Sequence, residues 1–351
     1  MAIHYELSYT SRLGRHRHIL WTSEQYSKEH VSVPVFKKAF VLTLPLSSFN
    51  QSLAPLKYGR FYPAQIVRTS SPLPAGLFRI TGIDGMEFTA DFNHPLAGKD
   101  CNLEKIPLQT ESPPVGKPHM LLEWAGMDAP LQDRDTDYSI DHAFHRQDST
   151  DDALFYENPR KVMHVDTTCI SRIKALYENL VKPHDTVLDL MSSWRSHLPP
   201  QAQRVTGLGM NADEMADNPM LEEYVVHNLN RSHRLPFNDG IFDAVVNTVS
   251  IEYLTEPHQV FSDVRRVLKS GGRVIVTFSN RYFPPKTTRF WAELHPAERP
   301  GWVLQLLRTS GFEDLYCQVE RGLGRSQDDR YAGQVEDMDP LFAVWGKAGM
   351  M

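Results

Sequence analysis

The stretch Val187-Leu188-Asp189-Leu190-Met191-Ser192-Ser193-Trp194 delivers a carboxylate at the end of a short apolar run, with small polar residues directly after it. A strand that ends in an acid and turns into a helix pattern is where a doubly wound α/β sheet holds a nucleotide-type cofactor. Such turns normally carry glycines, so that backbone can approach the ligand closely. Here Met191 and Ser193 stand where two of them are expected. A left-handed backbone at either residue costs roughly 1–2 kcal/mol, so this turn is expected to follow another path.

Other chemically suggestive pairs carry less. His16-Arg17-His18 has the spacing of two metal ligands, but no second ligand cluster accompanies it in sequence. A solvated basic strand is the expectation there, and no metal site is predicted. Ser196-His197 lacks the elbow motif that a nucleophilic serine needs, so nucleophilic catalysis is set aside. Cys101, Cys169 and Cys317 lie far apart without redox or metal spacing, and read as reduced thiols of a cytoplasmic protein.

The elements that must position these groups fall into two halves. Up to about residue 110 the pattern is strand-like. Phe40, Leu42 and Leu44 alternate, as do Met86, Phe88, Ala90 and Phe92, with Asp84-Gly85 as a hairpin turn between strands. Residues 111–150 are rich in proline and acid (Pro113, Pro114 and Pro118, then 132–137 and 148–152) and read as a linker. From 151 to 351, strands and helices alternate. Ile170, Ile173, Tyr177 and Leu180 mark an amphipathic helix, and strands are expected at 186–190, 204–208, 224–227, 242–248 and 273–278. A further helix starts near Pro257 and is expected to end at Gly271-Gly272. Alternation of this kind implies βαβ units and a mainly parallel sheet.

Composition narrows the function classes. Net charge is −6, from 37 basic and 43 acidic residues, which offers no broad footprint for nucleic acid. Hydrophobic residues make up 41%, enough for packed cores, and no apolar run approaches membrane-spanning length. Neither a nucleic-acid nor a membrane partner is expected.

The order of landmarks in residues 155–347 resembles the class I S-adenosylmethionine-dependent methyltransferases in their small-molecule-type branch. It rests on Val187-Leu-Asp-Leu190, Arg204-Val-Thr-Gly-Leu208, the run from Leu235-Pro-Phe237 into Phe242-Asp-Ala-Val-Val246, and Phe261 to Val276 with its Leu-Lys-Ser-Gly-Gly. More narrowly, Asp189-Leu-Met-Ser-Ser-Trp194, Gly209-Met-Asn211 and Ser279-Asn-Arg281 resemble a glycine-poor group of methyltransferase-like proteins known from plants and bacteria. The resemblance implies a Rossmann-like, seven-stranded doubly wound sheet with an antiparallel last strand, S-adenosylmethionine as cofactor, and methyl transfer to an acceptor it does not specify.

It also implies a set of site residues. Asp189, Met191, Ser192 and Ser193 form the cofactor turn; Gly209, Met210 and Asn211 occupy the place of the family's ribose-binding acid. Losing that acid costs about 1.5–3 kcal/mol of binding, for which Asn211 is a neutral substitute. Leu229 and Asn230 fall at the adenine position, although Asn230 equally suits a turn, and Thr248 begins the segment facing the reacting methyl. Glu252 and Tyr253 follow; helix-start packing is the competing reading for both. Before the core, Arg160 is placed to pair a cofactor carboxylate, or else a neighbouring acid, and His164 has the intrinsic pKa of a base. His164 and Tyr253 are the catalytic candidates.

In the other half, Asp91-Phe-Asn-His-Pro-Leu-Ala-Gly-Lys99, with Phe78 to Asp84 before it, resembles the SlyD-type FKBP prolyl isomerases over about residues 35–108. That implies a small, mainly-β domain in residues 1–110 with a flap-like sheet able to hold extended peptide. Residues 1–34 lack a counterpart of the family's first half, which carries most of its prolyl pocket. The leading expectation is thus a methyltransferase; the alternatives are a noncatalytic chaperone or adaptor, or a residual prolyl isomerase.

Overall fold

The computed structural model describes residues 2–24, 32–69, 72–74, 76–108, 110, 112–200, 202 and 204–349. The first half contributes strands β1 (Ala2–Thr10), β2 (Arg15–Thr22), β3 (Val41–Pro45), β4 (Phe61–Pro63), β5 (Leu77–Asp84), β6 (Glu87–Asp91) and β7 (Asn102–Leu108). Helices α1 (His119–Glu123), α2 (Asp152–Phe155) and α3 (Thr167–Leu180) follow. The alternating half then runs β8 (Thr186–Leu190), β9 (Arg204–Gly209), α4 (Ala212–Ala216), β10 (Glu223–Val226), β11 (Phe242–Thr248), α5 (Pro257–Val267) and β12 (Leu268–Phe278). It closes with α6 (Arg289–Glu293), α7 (Arg299–Thr309), β13 (Phe312–Arg321) and β14 (Leu341–Ala348).

These strands form one ten-stranded sheet in the order β10-β9-β8-β11-β12-β14-β13-β2-β1-β7 and a separate four-stranded sheet, β3-β6-β5-β4. Seven of the ten reproduce the expected arrangement: β8 to β12 pair in parallel, and β14 runs antiparallel between β12 and β13. The chain leaves β8 toward β9 on one side and resumes at β11 on the other, so the strand order reverses between β8 and β11. A crevice opens at such a reversal, outside the carboxyl ends of the strands. Buried on both faces, the central strands are near-continuous hydrophobic runs, such as Val187, Leu188 and Leu190 in β8 and Ala244, Val245 and Val246 in β11.

Beyond β13 the sheet does not stop. Strand β2 pairs in parallel with β13, β1 continues antiparallel, and β7 forms the outer edge. Hydrogen-bonded pairing therefore runs across residue 110, and residues 41–91 alone make the small sheet. The Asn93-His-Pro-Leu-Ala-Gly98 turn carries the chain from that sheet into β7, with His94 bonded to the Leu122 carbonyl at 2.9 Å. Arg60 and Glu298, both buried, pair at 2.8 Å and lock the small sheet to the start of α7.

Helix α3 begins at Asp166, whose carboxylate accepts from the Thr168 and Cys169 amides, and buries Ile170, Ile173 and Tyr177. Helix α5 starts with Pro257 in its first turn but ends at Val267, before the expected glycine pair. Leu268 already belongs to β12, opposite Phe242, and the next register pair is Ala244 with Arg273. Residues 269–272 are absorbed in that register shift, where Gly271 has φ +74°. The glycines thus serve a strand irregularity, not a helix stop.

Candidate functional site

The crevice at the carboxyl ends of β8, β9 and β11 is a cavity of about 1250 Å³, counting its open mouth. Thirteen of the fourteen residues named for the site border it, from Arg160 and His164 through the Asp189 turn to Thr248 and Tyr253, with Glu252 the exception.

The turn itself corrects one expectation. Met191 does adopt a left-handed backbone, with φ +62°. The reversal there brings the Ser192 amide onto the Leu208 carbonyl at 2.8 Å, which staples the turn to β9. Side chains do the remaining work of absent glycines. Ser192 Oγ donates to Asp189 at 2.7 Å, and Ser196 Oγ donates to the same carboxylate oxygen. Asp189 is 4% exposed, and burial pushes its pKa up to about 6 while the two hydroxyls pull it back. Ser196 is thereby committed to Asp189, in keeping with the dismissal of a Ser196-His197 nucleophile.

Gly209 is required where it stands, because a Cβ there would lie 2.2 Å from the Ser192 carbonyl oxygen. Asn211, two residues on, is not a free substitute for the ribose acid. Its carbonyl oxygen caps α4 by accepting from the Glu214 amide at 2.9 Å, and its NH2 donates to the Tyr156 and Glu157 carbonyls. A carboxylate that the sequence pattern did not single out, Glu214, borders the cavity beside it. It accepts from Ser193 Oγ at 2.6 Å and from the Arg160 amide at 2.5 Å. The Asn211-Ala-Asp-Glu214 spacing of a capping box was the available signal, since a carboxylate at the third helical position turns back toward the cap.

Asn230 is likewise spent within the protein. It donates to Asp152 at 2.8 Å and to the Tyr253 carbonyl, while its oxygen accepts from the amide and hydroxyl of Thr255. Of its two readings, the turn-satisfying one describes the side chain; beside it, Leu229 is buried and lines the cavity. Asp152 in turn takes both Arg146 bonds, at 2.8 and 2.9 Å, and faces Lys286 at 3.3 Å. That cluster latches the segment carrying Arg160 and His164 over the cavity.

Arg160 stacks on Phe155, 3.8 Å from the ring centre, and donates to the Phe155 carbonyl at 3.1 Å. Among the described residues no carboxylate lies within ion-pair distance of its guanidinium, so it is not bound to a neighbouring acid. Burial holds the His164 pKa below its ordinary value, which leaves a neutral ring packed edge-on against Phe283. Burial also pushes the Tyr253 phenol well above its ordinary pKa, and its oxygen accepts from the Phe283 amide at 2.9 Å. Tyr253 is therefore a hydrogen-bonding phenol and not a proton acceptor. Glu252 does not border the cavity; it is buried on the Arg299 side, and burial raises its pKa to about 7. Thr248, at the end of β11, pairs its hydroxyl with Tyr177 at 2.7 Å. The solvated strand expected at 15–18 is also corrected: His16 and His18 are buried, both facing Asp128.

Comparison with known proteins bears on the same region. Residues 194–276, from the end of the Asp189 turn into β12, match the family described as "Methyltransferase domain". The chain is 29% identical over 102 residues to the demethylmenaquinone methyltransferase of Thermotoga maritima, covering 28% of this chain and 42% of that protein. It is 34% identical over 118 residues to a protein of Mycolicibacterium smegmatis named "Probable S-adenosylmethionine-dependent methyltransferase", covering 31% and 44%. The chain spans less than half the length of each of these curated relatives. Among solved structures, YcgJ of Bacillus subtilis aligns at 10% identity with a TM-score of 0.37, over 52% of this chain and 99% of that one. The matched segment contains the cavity-lining residues from Trp194 to Tyr253.

Proposed function

We propose that this chain is a methyltransferase that uses S-adenosylmethionine. The observation that carries the reading is the convergence of Arg160, Asp189, Glu214 and His164 on one cavity at the sheet's reversal point. The donor set suits that cofactor. Arg160, lacking an acid partner among the described residues, would hold the amino-acid carboxylate, and Glu214 would take the ribose hydroxyls. Gly209 keeps the floor free of a Cβ where the chain passes closest to the turn. When bound, the cofactor supplies an electrophilic methyl on its sulfonium sulfur.

The remaining work falls to the protein's own groups. His164 stays neutral and offers a ring nitrogen to an acceptor's departing proton. Tyr253 donates a hydrogen bond, and the segment bearing Val162 and Met163 covers the cavity so that positioning supplies most of the rate. With a net charge of −6, the acceptor is proposed as a small molecule or a protein, not a nucleic acid. Among the described residues no helix is long and apolar enough to cross a membrane. Three free thiols suit a reducing, cytoplasmic setting. For residues 35–108 the SlyD-like resemblance supports peptide binding along the edge strands β3 and β4, each paired on one side only.

Calorimetric titration with S-adenosylmethionine tests the main reading. One saturable site, weakened by Arg160→Gln, is the expected result; absence of heat at millimolar ligand with folded protein would overturn it.

A further inference from the structure

A second cluster of chemically capable side chains lies away from the cavity, in the seam where the first strands join the large sheet. The parallel register of β2 and β13 sets His16 opposite Cys317. Asp128, in the turn after α1, points into the same seam. His16 Nδ1 lies 2.7 Å, and Cys317 Sγ 3.2 Å, from one Asp128 oxygen. These three donor atoms all fall within 4.8 Å of one another, and every one of the residues is buried. His18 Nε2 stands 3.4 Å from the same oxygen.

From this geometry we infer a zinc site formed by His16 Nδ1, Asp128 and Cys317 Sγ, beside which His18 Nε2 bonds the Tyr9 hydroxyl at 3.0 Å. An imidazole nitrogen and a carboxylate oxygen share 2.7 Å only when a proton or a cation stands between them. A mixed imidazole, carboxylate and thiolate set is a tetrahedral zinc set. Asp128 has no lysine or arginine within ion-pair distance among the described residues, only the two histidines. A dication with one thiolate and one carboxylate sums to zero, which removes the cost of an isolated buried charge.

The surrounding contacts fit ligand orientation. His16 Nε2 meets Ser11 Oγ at 2.7 Å, which leaves Nδ1 turned to the site. Tyr9 donates its hydroxyl to the other Asp128 oxygen, and the Gly126 amide donates to that hydroxyl at 2.8 Å. Zinc bonds of about 2.0–2.2 Å to nitrogen and oxygen put tetrahedral ligands about 3.4 Å apart. The His16 pair must open by roughly 0.7 Å and the Cys317 pair by roughly 0.4 Å, a movement available to Asp128 in its turn. Zinc displaces the Cys317 thiol proton, which leaves to solvent, while the proton between His16 and Asp128 passes to His16 Nε2, facing Ser11 Oγ.

Metal analysis of the intact chain tests this, with zinc or cobalt as the added probe. About one zinc per chain is expected, retained through dialysis, and at least a tenfold loss in Cys317→Ser but not in Cys169→Ser. Cobalt-loaded protein should show a thiolate charge-transfer band in the near ultraviolet that Cys317→Ser abolishes. Less than about a tenth of an equivalent after exposure of folded native protein to excess zinc would overturn the site. So would a cobalt spectrum indifferent to Cys317→Ser. Because the native chain itself is measured, a variant that fails to fold leaves the test intact.

Discussion

Asp189 and Asp128 are both deeply buried aspartates, and their surroundings push them in opposite directions. At the cavity floor, Asp189 meets only two serine hydroxyls, and burial wins: its pKa rises to about 6. In the seam beside β13, burial alone would raise Asp128 as well, but His16 and His18 hold it well below the ordinary carboxylate range. Tyr9 and Cys317 add two more donors. The difference shows that burial does not fix a carboxylate's state; the number and charge of its donors do. One carboxyl faces hydroxyls at the floor of an open cavity, while the other gathers imidazole, phenol and thiol groups from three segments and holds strands together.

The largest expected effect tests the seam. Asp128→Asn removes the charge that two histidines face, and should lower unfolding free energy by about 3–5 kcal/mol in denaturant titrations. A change under about 1 kcal/mol would mean the seam is not held by that carboxylate.

The cavity floor should show itself in pH dependence. Asp189 has a folded pKa near 6, against about 3.9 unfolded. Its stabilising contribution is therefore full below about pH 4 and lost as pH rises through about 6, a swing of roughly 3 kcal/mol. Denaturant titrations at pH 5 and 7.5 should show about half of that fall, roughly 1.3 kcal/mol, and Asp189→Asn should flatten it. Equal slopes in both proteins would contradict the contrast drawn above.

A smaller effect separates binding from stability. Arg160→Gln should weaken S-adenosylmethionine by about 10- to 100-fold while leaving the denaturation midpoint nearly unchanged, since the guanidinium holds no internal acid. Equal affinity by calorimetry would release Arg160 from the cofactor role. Least of all, Met191→Gly should raise stability by about 1 kcal/mol by relieving the left-handed backbone. A loss instead would mean that the thioether's packing outweighs that strain.

What could be read in advance follows from how local each signal is. Val187 to Leu190, Arg204 to Leu208 and Phe242 to Thr248 announce themselves as buried strands because each run carries its own apolar pattern. The placement of Asp189 at a strand end was equally local. Commitments of side chains were not: Asn211 and Asn230 look like open polar groups in sequence, and only the arrival of Tyr156, Glu157, Asp152 and Thr255 occupies them. Met191 accepted a costly backbone because the Ser192 amide gained Leu208. The histidines of β2 alternate with arginines, and a polar residue on a strand reads as solvent-facing. Nothing near them in sequence signals Asp128 or Cys317, which come from two other segments.

The pairing of Arg17 with Gln318 spans 301 positions of chain. Strand β2 leaves the ribosome long before its lateral neighbour β13. Until β13 emerges, β2 waits with one row of backbone donors and acceptors unsatisfied, and nascent chains are exposed to wrong edge-to-edge pairing during that interval. Contacts of such long separation also slow folding. Refolding of the intact chain should therefore end in a late phase in which the amino-terminal hairpin docks.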